Sequence, residues 1–265
     1  MTDITQAPAK TRAQITAKTL RTDSWWKQPG INAALLTIVV IYLTWASLIN
    51  KDYFYKPLIS PLYSPCLART CTSGAGWSWI PWASWLTPAI LIIWGPMGFR
   101  FTCYYYRKAY YRAFAWDPPA CAVGERAPHR YNGETRLFVF QNLHRYAMYV
   151  AVIFLVILWK DAIMGVFGWS DGVHVGVGSL VMLTNVLLLS GYTFGCHSFR
   201  HLIGGSVNSY STASLGHARF GLWKLASVLN ERHMVFAWMS LFSVALTDLY
   251  IRMVASGNLT DLRIF

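Results

Sequence analysis

Charge is what this sequence has least of. Only 13% of its 265 residues are Asp, Glu, Lys or Arg, against roughly 25% in soluble domains. Hydrophobic residues make up 55%, and a soluble domain so composed would expose large apolar patches. Acidic residues are scarcest, 11 against 23 Lys and Arg, which leaves a formal net charge of +12. That excess does not mark a nucleic-acid binder, because the basic residues flank apolar runs and form no single basic face. No glycine fingerprint of a nucleotide-binding fold is present, so flavin chemistry is not hosted by this chain. Internal repeats are not visible and few charges lie within the apolar runs, both of which weigh against a small-solute transporter. Nothing at the amino terminus reads as a cleaved signal peptide: some thirty polar, mixed residues precede the first apolar run. Five cysteines do not amount to the disulfide framework of a small secreted domain.

What the sequence does have is five apolar stretches, at 32–50, 84–103, 139–159, 173–195 and 233–254. Each is close to the ~20 residues that a bilayer-spanning helix needs. The expected fold is therefore all-α, a polytopic membrane bundle of five transmembrane helices. Pro88 suits a first turn, whereas Pro96 must kink the second helix or be satisfied by its neighbours. Residues 220–232 (FGLWKLASVLNER) have an amphipathic period and predict a further helix before the fifth span. The 13 Trp and 15 Tyr fit interfacial belts as well as core packing.

Cationic residues fix the expected orientation. Lys10, Arg12, Lys18, Arg21 and Lys27 precede the first span; Arg107, Lys108, Arg112, Arg126, Arg130 and Arg136 follow the second; Arg200, Arg219, Lys224 and Arg232 follow the fourth. Between the third and fourth, Lys160 is offset by Asp161 and Asp171. The positive-inside bias puts the amino terminus in the cytoplasm and the carboxyl terminus outside. The organisation that follows is a cytoplasmic arm (1–31), a bundle (32–254) with cytoplasmic loops 104–138 and 197–232, and an outer tail (255–265). Lys160, Asp161 and Asp248 then lie toward the outer ends and are expected to snorkel, leaving Asn185 as the polar residue deep in the fourth span.

Orientation sorts the reactive side chains. Cys66 and Cys71 share the outer loop (SPCLARTC) and are expected to form a small disulfide. Cys103, Cys121 and Cys196 are all inner, as is every histidine except His174. Four of the five spans each bring one such group to about the same depth: Cys103 ends the second, His144 lies near the start of the third, Cys196 ends the fourth and His233 starts the fifth. Bundles build cofactor sites in this way. Two Cys and two His suggest a Rieske-type [2Fe–2S] cluster, whose imidazole ligands raise its potential and suit it to reducing a quinone. The close Cys–His pairs of soluble Rieske loops are absent, and tetrahedral zinc with the same ligands is a structural alternative. One haem b on His144 and His233, or on either with His197, also remains open. Two haems are disfavoured, since His174 stands alone on the outer side. The cluster is placed ahead because three inner cysteines otherwise have no role. Without a cofactor, the cysteines are small hydrophobes and the histidines helix caps. Cys121, after the helix-breaking WDPPAC segment, is the substitute ligand should Cys103 face lipid.

Residues 195–205 (GCHSFRHLIGG) are densest in chemistry. If the helix continues past Gly195, His197 and His201 share one face and Cys196 and Arg200 the next. With Tyr105, from the basic aromatic segment 103–114 (CYYYRKAYYRAF), His197, Arg200 and His201 are the candidates to polarise and protonate a quinone. The same segment is suited to membrane anchoring or to docking a soluble subunit.

FTCYYYRKAYYRAF, DPPACAVGE, GETRLFVFQNLHRYAMY and GCHSFRHLIGG resemble the cytochrome b-type membrane anchor of actinobacterial-type succinate dehydrogenases, a resemblance that runs over residues 101–248. The resemblance implies a plasma-membrane subunit of respiratory complex II that binds a flavoprotein subunit and an iron–sulfur subunit at its cytoplasmic face. Succinate is then oxidised in the flavoprotein, and electrons pass through iron–sulfur clusters to quinone at the anchor. Five spans also resemble the fumarate reductase anchors that carry two haems near opposite faces, from which this chain departs because its histidines cluster inside. A purely structural anchor and a small-solute transporter are the alternatives.

Overall fold

The structure, a computed structural model, describes residues 19, 21–66, 87–116, 118–123, 137–170, 172–205 and 207–264. Its helices are α1 (Lys27–Ile49), α2 (Pro88–Thr102), α3 (Tyr104–Tyr110, continued by a π-helical turn, Tyr111–Ala115), α4 (Leu137–Phe167), α5 (Val177–Phe194), α6 (His197–Gly204), α7 (Gly216–Glu231) and α8 (His233–Ala255). A two-stranded antiparallel hairpin, β1 (Phe54–Tyr55) with β2 (Leu58–Ile59), follows α1.

Among the described residues four helices are long and apolar enough to cross a membrane: α1, α4 from Asn142, α5 and α8. The second expected span, 84–103, is met only in part. Its first residues lie outside those described, and α2 has 15 residues, about 22 Å at 1.5 Å per residue, where a hydrocarbon core is ~30 Å thick. Pro88 stands in the first turn of α2 as expected, and Pro96 lies within the helix. The amphipathic segment 220–232 falls in α7, whose Leu222, Leu225 and Val228 remain exposed.

The long helices run antiparallel, because side-chain contacts tie alternate ends together. At one end the start of α2 meets the end of α1, with Thr87 Oγ1 donating to the Ser47 carbonyl. Nearby, Ser64 of the α1–α2 loop donates to Asp161 near the end of α4. At the other end Phe99 of α2, His144 of α4, Tyr192 of α5 and His233 of α8 are in ring contact. Close approach is built in by glycine. A Cβ on Gly191 would come within 2.5 Å of the Phe236 ring, so that ring of α8 packs directly on the α5 backbone there.

The first end is fastened by a buried ion pair. Asp248 is fully buried, and it accepts from Arg252 Nε at 2.7 Å, Tyr42 Oη at 2.7 Å and Ser60 Oγ. Arg252 donates in turn to the carbonyls of Ala46 (2.6 Å) and Lys51, and lies over the Trp45 and Tyr63 rings. Asp248 therefore does not snorkel. Removing it from water is tolerated because a guanidinium and two hydroxyls replace its hydration. Asp161 is likewise occupied, by Ser64. The carboxyl-terminal tail folds back on the same end, where Asp261 accepts from the Gly178 amide in the first turn of α5 and from Tyr250 Oη. Cys66 is disulfide-bonded; Cys71, its expected partner, lies outside the described residues.

Breaking one half of a buried ion pair costs about 3–5 kcal/mol, whereas replacing both halves by apolar residues is near neutral. Asp248→Ala is expected to lower the unfolding temperature of the detergent-solubilised protein markedly, and Asp248→Leu with Arg252→Met to recover most of the loss. Thermal unfolding of the two variants checks this.

Candidate functional site

Two helix breaks make the site. α2 ends at Thr102, Cys103 takes extended backbone (φ −66°, ψ 131°), and α3 starts at Tyr104. α5 ends at Phe194, Cys196 takes nearly the same backbone (φ −66°, ψ 139°), and α6 starts at His197. The hydrogen bonding matches as well. Each cysteine amide donates three residues back, Cys103 to Arg100 at 3.2 Å and Cys196 to Thr193 at 3.3 Å. Each cysteine carbonyl accepts from the arginine four residues on, Arg107 at 3.0 Å and Arg200 at 3.1 Å. The expected continuous helix through Gly195 is thus replaced by a cap, and the Gly195 carbonyl freed by the break accepts from Asn230 Nδ2 at 2.8 Å.

Both cysteines are buried, as are His144 and His233. The four form two mixed pairs. His144 Nε2 is 3.0 Å from Cys196 Sγ, and His233 Nε2 is 4.0 Å from Cys103 Sγ. The two sulfurs lie near enough to interact electrostatically, and so do the two imidazoles. Neighbours set the ring orientations. His144 stacks on Phe99 at 4.7 Å, with its Nδ1 2.9 Å from Thr102 Oγ1. His233 stacks on Tyr192 at 5.0 Å, and its Nδ1 is buried without a partner. Burial pushes the Cys196 thiol up to about 11, which outweighs the lowering by the Ser198 amide that donates to its sulfur at 3.4 Å. A thiol so placed stays protonated unless a bound metal takes the proton's place.

Among the described residues no group of three or more His, Cys, Asp or Glu closes around a point that would hold one metal ion. That lends no support to mononuclear zinc, nor by itself to any other metal at this site. A dinuclear cluster asks for two donors at each of two irons, and two donor pairs are present. Each pair joins one sulfur to one imidazole, however, whereas Rieske ligation puts both imidazoles on one iron. The donor set fits such a cluster in kind and number, and departs from it in pairing. For a haem, both Nε2 atoms face sulfur.

The remaining candidates divide. Cys121 is exposed and its thiol is free, so it does not turn back to the bundle; its carbonyl accepts from Arg21 Nη1 at 2.8 Å. The break before it comes at Trp116, which takes a left-handed conformation (φ 56°). Tyr105, 37% exposed, packs on His233 at 5.4 Å between ring centroids and stands beside the four donors. His197 and His201 lie on α6 four residues apart and both are exposed, His201 Nδ1 being 2.6 Å from Arg145 Nη2. Arg200 is engaged elsewhere, donating to Ser227 Oγ at 2.9 Å and lying over Trp223 of α7 at 4.8 Å.

Sequence reasoning missed several residues. Tyr192 is in ring contact with Phe99 of α2 and His233 of α8, and burial holds Tyr106, beside it, up to about 12. Arg107 is buried close to His144. Arg100 reaches into the bundle below them. One signal for the breaks was present in the sequence: the spacing Cys-x-x-x-Arg occurs in CYYYR and again in CHSFR.

A family model described as "Actinobacterial succinate dehydrogenase subunit SdhC" matches residues 27–257. Among solved structures the chain is similar to one from the "Mycobacterium smegmatis Sdh1 complex in the apo form", with 40% sequence identity, a TM-score of 0.82 and 97% of each chain covered. No curated protein matches.

Site-resolved labelling with a bulky polar maleimide tests the cysteine environments. In the folded, detergent-solubilised protein Cys121 is expected to react fully and Cys103 and Cys196 less than about a tenth as fast, with all three reacting after denaturation.

Proposed function

The chain belongs to the actinobacterial succinate dehydrogenase SdhC family, and from that premise we propose that it is the quinone-reducing anchor of the complex. In this reading it spans the membrane five times with its amino terminus in the cytoplasm. It docks the flavoprotein and iron–sulfur subunits at the cytoplasmic end and holds a redox centre there. The observation that carries the proposal is the meeting of Cys103, Cys196, His144 and His233, from four different helix ends, as two buried pairs.

Those four residues would hold a [2Fe–2S] cluster, two as thiolates and two as neutral imidazoles. When bound, such a cluster supplies one-electron acceptance at a potential raised by its imidazole ligands. The protein's part is to orient and to exclude water. Thr102, Phe99 and Tyr192 fix the two rings, and Ser198 and the caps fix the sulfurs. Burial of all four keeps solvent from the centre. A quinone headgroup seated at Tyr105 would lie one ring from His233, with the Tyr105 hydroxyl available to a carbonyl oxygen. His197 and His201 remain candidates as proton donors at the exposed side, while Arg200 is better placed to hold α6 on α7.

The transporter reading is weakened by two buried polar side chains of the spans that are taken up by protein partners. Asn185 Oδ1 accepts from Ser243, and Asp248 from Arg252.

Paired optical and EPR spectroscopy on the dithionite-reduced complex tests the redox centre. A Rieske-type signal without haem absorbance is expected, and a low-spin haem band would replace the cluster by one bis-His haem. His144→Ala with His233→Ala is expected to abolish the signal and quinone reduction while the soluble subunits still co-purify; full activity in that variant sinks the ligand assignment.

For the quinone, Tyr105→Ala is expected to raise the apparent KM at least about tenfold, roughly 1.4 kcal/mol, with the spectrum intact. Arg200→Ala is expected to reduce spectrum and activity together. Steady-state kinetics on spectrally quantified samples separates the two.

A further inference from the structure

Arg100 lies in the last turn of α2, where a long cationic side chain ordinarily reaches out to water or headgroups. It turns the other way. Nη1 donates to the Tyr106 hydroxyl and to the Ala237 carbonyl (3.3 Å), and Nη2 to Ser240 Oγ (3.1 Å), one to two turns into α8. The guanidinium lies 4.9 Å from the centroid of the Tyr192 ring and 5.6 Å from that of Tyr106. Tyr192 stacks on His233 and its hydroxyl lies toward Cys103; Tyr106 belongs to the helix that Cys103 caps. A single aromatic ring therefore separates this cation from the sulfur–imidazole pair.

Its partners are all neutral. Among the described residues no carboxylate accepts from Arg100, whereas Arg21 pairs with Asp23, Lys51 with Asp52 and Arg252 with Asp248. A half-buried cation whose partners are all neutral is costly to hold in place; of the two guanidiniums more deeply buried, Arg252 has Asp248 and Arg107 lies close to His144. The group that would gain from Arg100 is the centre held by the four donors, which becomes more negative by one charge on reduction.

We propose that Arg100 is the counter-charge that sets the reduction potential of that centre, an inference that rests on reading Cys103, Cys196, His144 and His233 as its ligands. One electron arrives from the iron–sulfur subunit of the same complex, which is thereby oxidised. No bond breaks, and the centre gains one negative charge whether it is a cluster or a haem. A cation one ring away stabilises the reduced form over the oxidised and so raises the potential. Arg100 is a positioning residue in this scheme, acting through the field it places on the centre.

Potentiometric titration of the intact complex, followed by EPR and optical absorbance, tests it. In R100Q the equilibrium constant for one-electron reduction is expected to fall at least about tenfold, which is about 59 mV for one electron, with the line shape retained. R100K is expected to recover more than half of that shift. S240D, which sets a carboxylate against the guanidinium while leaving Arg100 in place, is expected to lower the potential too, and it decides the matter where R100Q does not assemble. An unchanged potential in assembled R100Q or S240D overturns the proposal. So does the failure of both to assemble, because Arg100 is then a structural residue. A wild-type complex with neither an EPR signal nor haem absorbance removes the redox centre itself, and this inference with it.

Discussion

Lipid offers a backbone no hydrogen bonds, so a helix is interrupted only where protein supplies what the break leaves unpaired. The two interruptions at Cys103 and Cys196 obey that constraint, and the arrangement of the cysteine-bearing end depends on it. Each cysteine leaves the helical path for one extended residue and so caps the helix that follows. The breaks are tolerated because each cysteine carbonyl accepts the first backbone bond of the next helix, from the Arg107 or Arg200 amide, and the Gly195 carbonyl accepts from the Asn230 side chain. Had α5 run on through Gly195, Cys196 would have been one more side chain on a helix face. Instead its sulfur lies 3.0 Å from His144.

The opposite end solves a different problem by similar means. There the chain must leave α1, form a hairpin and enter α2, and the buried Asp248–Arg252 pair collects hydroxyls and carbonyls from all of that passage. Two core clusters divide accordingly, one around Leu58, Tyr63 and Ile251, the other around Phe99, Met148 and Tyr192. The polar residues of the bundle interior thus gather near its two ends, with Asn185 and Ser243 as the link between α5 and α8.

Much of this was legible in the sequence, for identifiable reasons. Helix positions follow from the lengths of the apolar runs. The common depth of Cys103, His144, Cys196 and His233 follows from alternating helix direction. What periodicity could not supply was direction around a helix. Arg100 reads as an ordinary interfacial cation, and Tyr192 as one belt aromatic among many, because both face inward through contacts to other helices. Asp248 reads as a snorkelling acid because its partner Arg252 lies on the same helix and looks equally peripheral. Cys121 was misplaced for a simpler reason: the turn that follows Trp116 leaves its thiol in the open. The break at Gly195 left only a weak trace, a glycine without a following proline.

Cys66 and the buried pair Cys103 and Cys196 live in two chemical regimes that never meet. Cys66, at the hairpin end, is oxidised to a disulfide, while Cys103 and Cys196, at the other end, are free thiols sealed from solvent. Thiol–disulfide exchange proceeds through an accessible thiolate, and Cys196 offers neither the access nor the ionisation. During biogenesis the same polypeptide can therefore be matured by oxidation at one end while keeping Cys103 and Cys196 reduced at the other. Distance along the bundle and burial do the sorting, so no separate protection of the inner pair is required.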